Sequence, residues 1–461
     1  MATTYLYRTA GSASTNAKKY TLSWWQKRAG KPTFDGSEER ILNNYVDANN
    51  QGNLTLKATT GTLYVRDMVS SSNKIDMETT RSFYDTAAWY HFVLRVDTTE
   101  STEADRVRIY VNGTQETSFS SATYPALNDD LTFGGASAAD QFRIGSHNGG
   151  GDYIDGNVTH MHWCDGYSYA PTEFGEVDST SGIWKIKTSA SVSYGNNGFF
   201  LKFENNAALG TDSSGNTNTF TMSGSGTQSI DTPSIVYPSW NRKIEDSEDG
   251  NWSNANLTCA PNGDGPYIYA PLTWGLTKGK WYSEHMISSG NGYGSIGFAA
   301  YEGIGVQFKA GNVEPGGWTP SLAYRCISGG IKMNTSNTSY GSAPGTSDAI
   351  LGIAWDIDNQ KFWVAVNGTY VTYGGGVGDP AAGTYGFDWS GIGGTGQQSW
   401  TMIIGDSENT GYGNWKSNFG TGYFSTTAIT SEGSNGNGSK FEYDVPTGFY
   451  AINSKNINTY G

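Results

Sequence analysis

The chain has 461 residues, among them 62 glycines, 29 tyrosines and 15 tryptophans, and 14% of it is aromatic. So many rings exclude a disordered chain, and so much glycine suits a fold with many turns. Acidic residues outnumber basic ones by 43 to 29, and the formal charge of −14 disfavours phosphate backbones and anionic lipid as partners.

Met1 to Ser14 lacks the apolar core of a secretory leader. No run of about 18 apolar residues is present to span a membrane. The first strand signal is the alternating Tyr20–Lys27. Strands are then expected at Asn53–Lys57, Thr62–Arg66, Trp89–Asp97, Arg106–Val111 and Gln141–Ile144. Asp152–Trp163 reads as a closing strand, Ala170–Gly175 as one short helical turn, and Gly198–Glu204 as a further strand. A polar stretch, Asn205–Ile230, leads to a boundary between about Asp231 and Asn251. Beyond it, strands are expected at Trp281–Ile287, Gly294–Ala299, Ala349–Asp356, Lys361–Val366, Trp400–Ile404 and finally Lys440–Tyr443. Between them run glycine-rich, aromatic loops at Gly311–Tyr324, Tyr340–Ser347 and Tyr373–Trp389. No sustained helical period or heptad appears.

One segment occurs twice. Arg106–Thr114 (RVRIYVNGT) returns as Lys361–Thr369 (KFWVAVNGT). Each copy follows an apolar strand ending in Asp, at Asp97 and Asp356. Alternation followed by Asn-Gly predicts a hairpin closed by a tight turn. Both copies also fit the N-glycosylation pattern, for which the turn is the better reading. One hairpin used twice predicts an all-β chain of two sandwiches in tandem.

Two resemblances sharpen this. Trp89–Leu94, Arg108–Gly113 and Ile154-Asp155-Gly156 resemble concanavalin A-like, laminin-G-like jelly rolls. Asp165-Gly166-Tyr167, Phe174-Gly175-Glu176, Gly182-Ile183-Trp184 and Leu209–Asn216 resemble a subgroup found in structural proteins of tailed bacteriophages, marine ones especially. Lys280–Glu284, Gly294–Phe298, Ile350–Asp356 and Phe362–Gly368 are similar to SPRY domains, another jelly roll. Asn418-Phe419-Gly420 and Val445–Phe449 resemble the ending of phage-encoded versions. The resemblances imply a laminin-G-like sandwich with a C-terminal extension over residues 1–235 and a SPRY-like sandwich over 236–461.

Candidate sites are few. His160, His162 and Cys164, at alternate positions beside Asp165, could seed a zinc site, but three ligands on one strand are awkward and an ordinary strand is the better reading. Lys18, Lys19, Lys27, Arg28 and Lys31 around Trp24 and Trp25 could bind single strands of nucleic acid. One core Trp with lysines protecting an edge is the alternative favoured by the acidic chain. No alternating acids suggest a glycosidase pair, and Glu245–Asp249 reads as a solvated loop. Cys164, Cys259 and Cys326 form no CxxC and cannot all pair, so the fold is expected to do without disulfides after synthesis in a reducing cytoplasm. The best recognition candidates are the loop rings Trp318, Tyr324, Tyr340, Tyr373, Tyr385 and Trp389, set among Gly, Ser and Asn.

The resulting expectation is a non-catalytic bacteriophage virion protein without cofactor or metal: a tail fibre, head fibre or capsid decoration. It would be made in the host cytoplasm and displayed on the particle exterior as a homo-oligomer. Its partners would be other virion proteins and a host-surface glycan or protein, with neither nucleic acid nor membrane insertion. The alternatives are a structural capsid cement and a jelly-roll polysaccharide hydrolase.

Overall fold

The computed structural model describes residues 3–30, 38–135, 140–244, 250–261, 268–287, 293–301, 304, 314–345, 348–393, 398–406 and 413–461. Lys31 and the Glu245–Asp249 cluster lie outside the described residues, as do the ends of two predicted loops at 311–313 and 346–347. The chain divides into two compact units. The first comprises Ala2–Gln228 with Thr232–Ser234, and the second Ile235–Gly461 with Ser229–Asp231.

The first unit holds β1 (Tyr5–Thr9), β2 (Lys19–Arg28), β3 (Glu38–Asp47), β4 (Asn50–Lys57), β5 (Thr62–Val69), β6 (Ser72–Ser82), β7 (Tyr90–Asp97) and β8 (Val107–Val111). It continues with β9 (Thr114–Gln115), β10 (Phe119–Thr123), β11 (Gln141–Ile144), β12 (Gly156–Asp165), β13 (Gly175–Val177), β14 (Trp184–Ile186), β15 (Phe199–Leu201) and β16 (Thr221–Ser223). An eight-stranded sheet, β10-β6-β5-β4-β3-β11-β1-β16, faces a six-stranded one, β15-β12-β2-β7-β8-β9. One core cluster joins Leu42, Leu54 and Phe142 from the first sheet to Trp24, Phe92 and Ile109 from the second. Trp24 stacks on Phe92 at 4.9 Å between ring centres.

Strand β2 corrects the basic-aromatic reading. It is central, so neither of its edges is open, and both of its faces are buried: Trp25 stacks on His91 at 4.7 Å on the face opposite Trp24. That outer face is covered by the segment after β12, which brings Phe174, Tyr169 and Tyr194 against Val93 and Cys164. Arg28 is no edge guard either. It is buried, and its guanidinium donates to Glu39 Oε1 from Nε (2.9 Å) and Nη2 (2.6 Å).

The second unit holds β17 (Gly250–Ser253), β18 (Thr258–Pro261), β19 (Ile268–Pro271), β20 (Lys280–Ile287), β21 (Gly294–Ala300), β22 (Ser321–Arg325), β23 (Gly330–Met333), β24 (Ser336–Thr338), β25 (Ala349–Asp356) and β26 (Lys361–Val366). Then come β27 (Thr369–Tyr370), β28 (Thr372–Tyr373), β29 (Gly376–Val377), β30 (Phe387–Asp388), β31 (Trp400–Asp406), β32 (Trp415–Asn418), β33 (Tyr423–Phe424), β34 (Thr427–Ala428), β35 (Tyr450–Ala451) and helix α1 (Ser454–Tyr460). One sheet runs β17-β18-β32-β20-β25-β26-β27, with β30 on β26 and β35 on β20; the other runs β19-β31-β21-β22-β23-β24. Phe298 of β21 stacks on Trp355 of β25 at 4.8 Å and meets Trp389 and Trp400 edge-on, which locks the two sheets together. The expected all-β chain of two sandwiches is what the structure shows.

The repeated hairpin is built alike in both units. Asn112 and Gly113 have φ of 49° and 79°, and Asn367 and Gly368 have 46° and 79°. Two successive residues at positive φ make the turn that matches the twist of a hairpin. In each copy the Asn side chain also ties down the preceding strand. His91 N donates to Asn112 Oδ1 (2.8 Å), and Ile350 N donates to Asn367 Oδ1 (2.9 Å). An aromatic ring then lies over each glycine. A Cβ at Gly113 would sit 2.7 Å from the Trp184 ring, and one at Gly368 would sit 2.5 Å from the Tyr443 ring.

Three expectations are corrected. Lys440–Tyr443 is not a strand, because the N–H groups of Glu442 and Tyr443 are taken by the Glu284 carboxylate rather than by a neighbouring strand. The loop expected at Gly311–Tyr324 ends inside β22, an almost wholly buried strand between β21 and β23. The chain also closes on a helix, α1, whose N-cap Asn453 accepts from Asn456 N.

The turn gives a direct test. Gly113→Ala and Gly368→Ala each add strain at positive φ and push a ring, and each is expected to cost about 2 kcal/mol or more. Asn367→Ala, which leaves the Ile350 N–H without its acceptor, is expected to cost about 1–2 kcal/mol. Urea unfolding followed by tryptophan fluorescence measures all three.

Candidate functional site

In the second unit the chain leaves the Asn367-Gly368 turn as β27, passes through the β28–β29 hairpin and reaches Gly378-Asp379-Pro380. Opposite lies the irregular segment 431–447. Between them is a groove of about 760 Å³. Tyr282 of β20, Tyr370 of β27 and Tyr443 are among its lining residues, Tyr282 buried and the other two partly exposed. The rim carries acceptors: Asp379, Glu432, Asn435, Glu442 and Asp444. Among the described residues no lysine, arginine or histidine lines it.

A buried carboxylate holds this groove in shape. Glu284 is fully buried on β20. It accepts from Glu442 N (2.8 Å), Tyr443 N (2.9 Å) and the Tyr282 hydroxyl (3.1 Å). Burial raises its pKa to about 7, against the opposing effect of those three hydrogen bonds. Burial likewise pushes the Tyr282 and Tyr370 hydroxyls up. The Tyr370 hydroxyl is buried without a hydrogen-bond partner.

The rim carboxylates are anchors for their own loops. Asp379 accepts from Ala382 N at 3.0 Å, and Asp444 from Ser434 N at 2.7 Å. Glu442 takes both the N–H and the hydroxyl of Thr430. Each keeps lone pairs free for a second donor. The arrangement therefore suits a ligand with flat apolar faces and many hydroxyl or ammonium donors.

The six predicted rings are placed differently. Trp318, Tyr324, Tyr340 and Trp389 are buried, so none offers a face to a ligand. Trp318 packs with Ala299 and Ile403, and Trp389 with Phe298 and Trp400. Tyr324 donates its hydroxyl to Ser342 O, and Tyr340 donates to Phe362 O, so both phenols stitch loops to the core. Tyr373 is half-buried against Tyr340 and Phe387. Tyr385 is 47% exposed, but its ring covers Gly376. None of the six lines the groove. The groove rings Tyr282, Tyr370 and Tyr443 were missed. The available signal was Tyr370 just beyond the Asn-Gly turn.

The other candidates resolve into packing. Strand β12 bulges at His160 (φ 46°), and its register on β2 shifts between Thr159 and His162. The His162 ring stacks on Phe200 at 3.8 Å with Nδ1 2.9 Å from the Tyr194 hydroxyl, while Cys164 packs with Val93 and Phe174. No group of three or more His, Cys, Asp or Glu among the described residues is placed to hold a metal ion.

Two serine-histidine pairs are buried, and in the first the proton direction is fixed. The Trp184 indole donates to His91 Nδ1 (2.9 Å), so Nε2 carries the proton and donates to Ser23 Oγ (2.8 Å). In the second unit Trp240 donates to Ser417 Oγ (2.8 Å), which lies 2.9 Å from His285 Nδ1. His285 Nε2 lies 2.8 Å from Ser283 Oγ. Burial lowers the pKa of both imidazoles to about 3. His91 gives a hydrogen bond to Ser23 and cannot act there as a base.

A family model described as the concanavalin A-like lectin/glucanases superfamily matches residues 2–168. No curated protein matches the chain. Among solved structures, a SAP-like pentraxin from Limulus polyphemus is similar at 16% identity and TM-score 0.26, over 37% of this chain and 72% of that one. The SPRY domain of human HERC1 is similar at 11% identity and TM-score 0.28, over 39% of this chain and 96% of that one. Domain 4 of AbnA, an extracellular arabinanase from Geobacillus stearothermophilus in complex with arabinotriose, is similar at 16% identity and TM-score 0.24, over 36% and 82%.

The buried carboxylate makes stability depend on pH. Glu284 holds its proton more tightly folded than unfolded, so its contribution falls as pH rises from about 4.5 towards 7. In Glu284→Gln that part of the slope disappears. The variant is also weaker at pH 5, because an amide NH₂ then faces one of the two backbone N–H groups. Urea unfolding of both proteins at pH 5 and pH 8 checks the difference.

Proposed function

We propose that this protein is a non-catalytic binding protein that recognises a saccharide through the groove of its second unit. The observation that carries the reading is the combination in one groove of two partly exposed tyrosine rings, Tyr370 and Tyr443, with a rim of acceptors. Flat rings stack on the apolar faces of sugars, and carboxylates and amides accept from their hydroxyls. A volume of about 760 Å³ suits a short oligosaccharide. The absence of cations on its lining among the described residues favours neutral or amino sugars over acidic ones.

The placement on a bacteriophage particle belongs to the same proposal. It rests on the residues between Asp165 and Asn216 that resemble phage structural proteins. In that setting the chain would be displayed on a tail fibre, head fibre or capsid, among other virion proteins. A structural cement remains the second reading. Against a hydrolase, three of the four lining carboxylates, Asp379, Glu442 and Asp444, are engaged by backbone N–H groups, which leaves Glu432 without a second free carboxylate as its partner.

The test is a glycan array of neutral and amino sugars. The wild type is expected to be retained on a subset, and Tyr443→Ala to weaken that binding about tenfold or more. Glu432→Gln, at an exposed rim position, is expected to weaken it without changing the thermal midpoint. Retention of no saccharide, or unchanged binding by both folded variants, would overturn the reading.

A further inference from the structure

The first unit carries a separate constellation on its eight-stranded sheet. Tyr5 and Tyr7 of β1 project from the same face, with ring centres 5.9 Å apart. Tyr153 stacks beside Tyr5 at 6.3 Å and 29°. Tyr153 is presented by a loop in which Gly149, Gly150 and Gly151 have φ of 108°, 91° and 96°, a course that side chains other than glycine rarely follow. The loop closes on itself through Gly150 N to His147 O at 3.1 Å.

Arg143 of β11 lies directly across from Tyr7 in the ladder. Its guanidinium carbon is 5.2 Å from the centre of the Tyr5 ring. Its hydrogen bond to Gln141 Oε1 is long, at 3.4 Å, and its Nε is buried without a partner. No carboxylate pairs with it among the described residues. In a chain with 43 acids to 29 bases, a guanidinium without a counter-charge is an available site for an anion. Tyr7, 41% exposed, also borders a hollow of about 370 Å³ lined by Thr217, Asn218, Thr219 and Thr221 and by Arg8, whose guanidinium is engaged by Asn197 O and Asn218 Oδ1. Rings, a cation and a hollow rich in hydroxyls are thus contiguous.

We propose that this patch is a second saccharide site and that it takes a carboxylate-bearing sugar polymer, a polyuronate. The sugar rings stack on Tyr5 and Tyr153 and cross Tyr7 towards the threonine-lined hollow. One uronate carboxylate meets the fork of Arg143. The net charge of −14 repels a polyanion at long range, but at about 0.15 M salt that repulsion is screened beyond roughly 8 Å. The contacts that decide binding are shorter than this. The site stands on residues of the first unit alone and holds or fails independently of the groove.

Affinity electrophoresis of the full chain through gels containing polygalacturonate, alginate or dextran tests it. Retardation by the two polyuronates at 0.15 M salt, and little by dextran, is expected. Arg143→Gln is expected to weaken it about tenfold or more, Arg143→Lys less, and exposed Tyr7→Ala severalfold. Glu432→Gln, in the groove, leaves it unchanged. If the polyuronates retard the wild type no more than dextran, or if folded Arg143→Gln and Tyr7→Ala both migrate as the wild type, the proposal is wrong. Either result leaves the groove to be judged by its own array.

Discussion

Every N–H withdrawn from water must find an acceptor, and this chain has long irregular segments packed against its sheets. Buried carboxylates supply much of the answer. In the first unit Asp67 accepts from Thr132 N and Phe133 N, both at 2.9 Å. Asp165 accepts from Thr15 N and Asn197 N, both at 3.0 Å, and Asp212 from Phe200 N, Ser214 N and Asn218 N. In the second unit Glu284 collects Glu442 and Tyr443, and Asn418 Oδ1 collects Gly420 N and Gly422 N. One side chain stands in each time for a stretch of missing strand. The bonds to a charged carboxylate contribute about 1.5–3 kcal/mol each, against several kcal/mol of desolvation, and those to the neutral Asn418 amide about 0.5–1.5 kcal/mol. For Glu284 and Asp67 desolvation is the larger effect, since their pKa values are raised to about 7 and about 6.

This device also explains what could be read beforehand. Alternation and Asn-Gly are local signals, so Gln141–Ile144, Ala349–Asp356 and Lys361–Val366 were legible to the residue. Lys440–Tyr443 has a strand-like pattern, yet its hydrogen-bonding partner is a carboxylate 158 residues away. Strands β3 and β6 were missed because they carry charged or amide residues such as Glu39, Asn43, Asp76 and Glu78, which the unit pairs internally.

Four of the six recognition rings are buried for a related reason. An aromatic residue between strands looks available, but a sandwich end needs lids as much as ligands. Tyr324 and Tyr340 serve as lids that also donate to backbone carbonyls. Tyr443 became a groove-lining residue because Gly368 needed a cover, a demand visible only once the turn is folded. The same holds for Tyr5 and Tyr153, whose adjacency depends on a glycine loop and a ladder with β11.

The three cysteines carry a last consequence. All are buried, and burial pushes the Cys164 and Cys326 thiols far above their ordinary range. Almost no thiolate is present at these two positions to attack an oxidant or a second chain. Neither of these two thiols is therefore poised to form a covalent cross-link while the molecule stays folded.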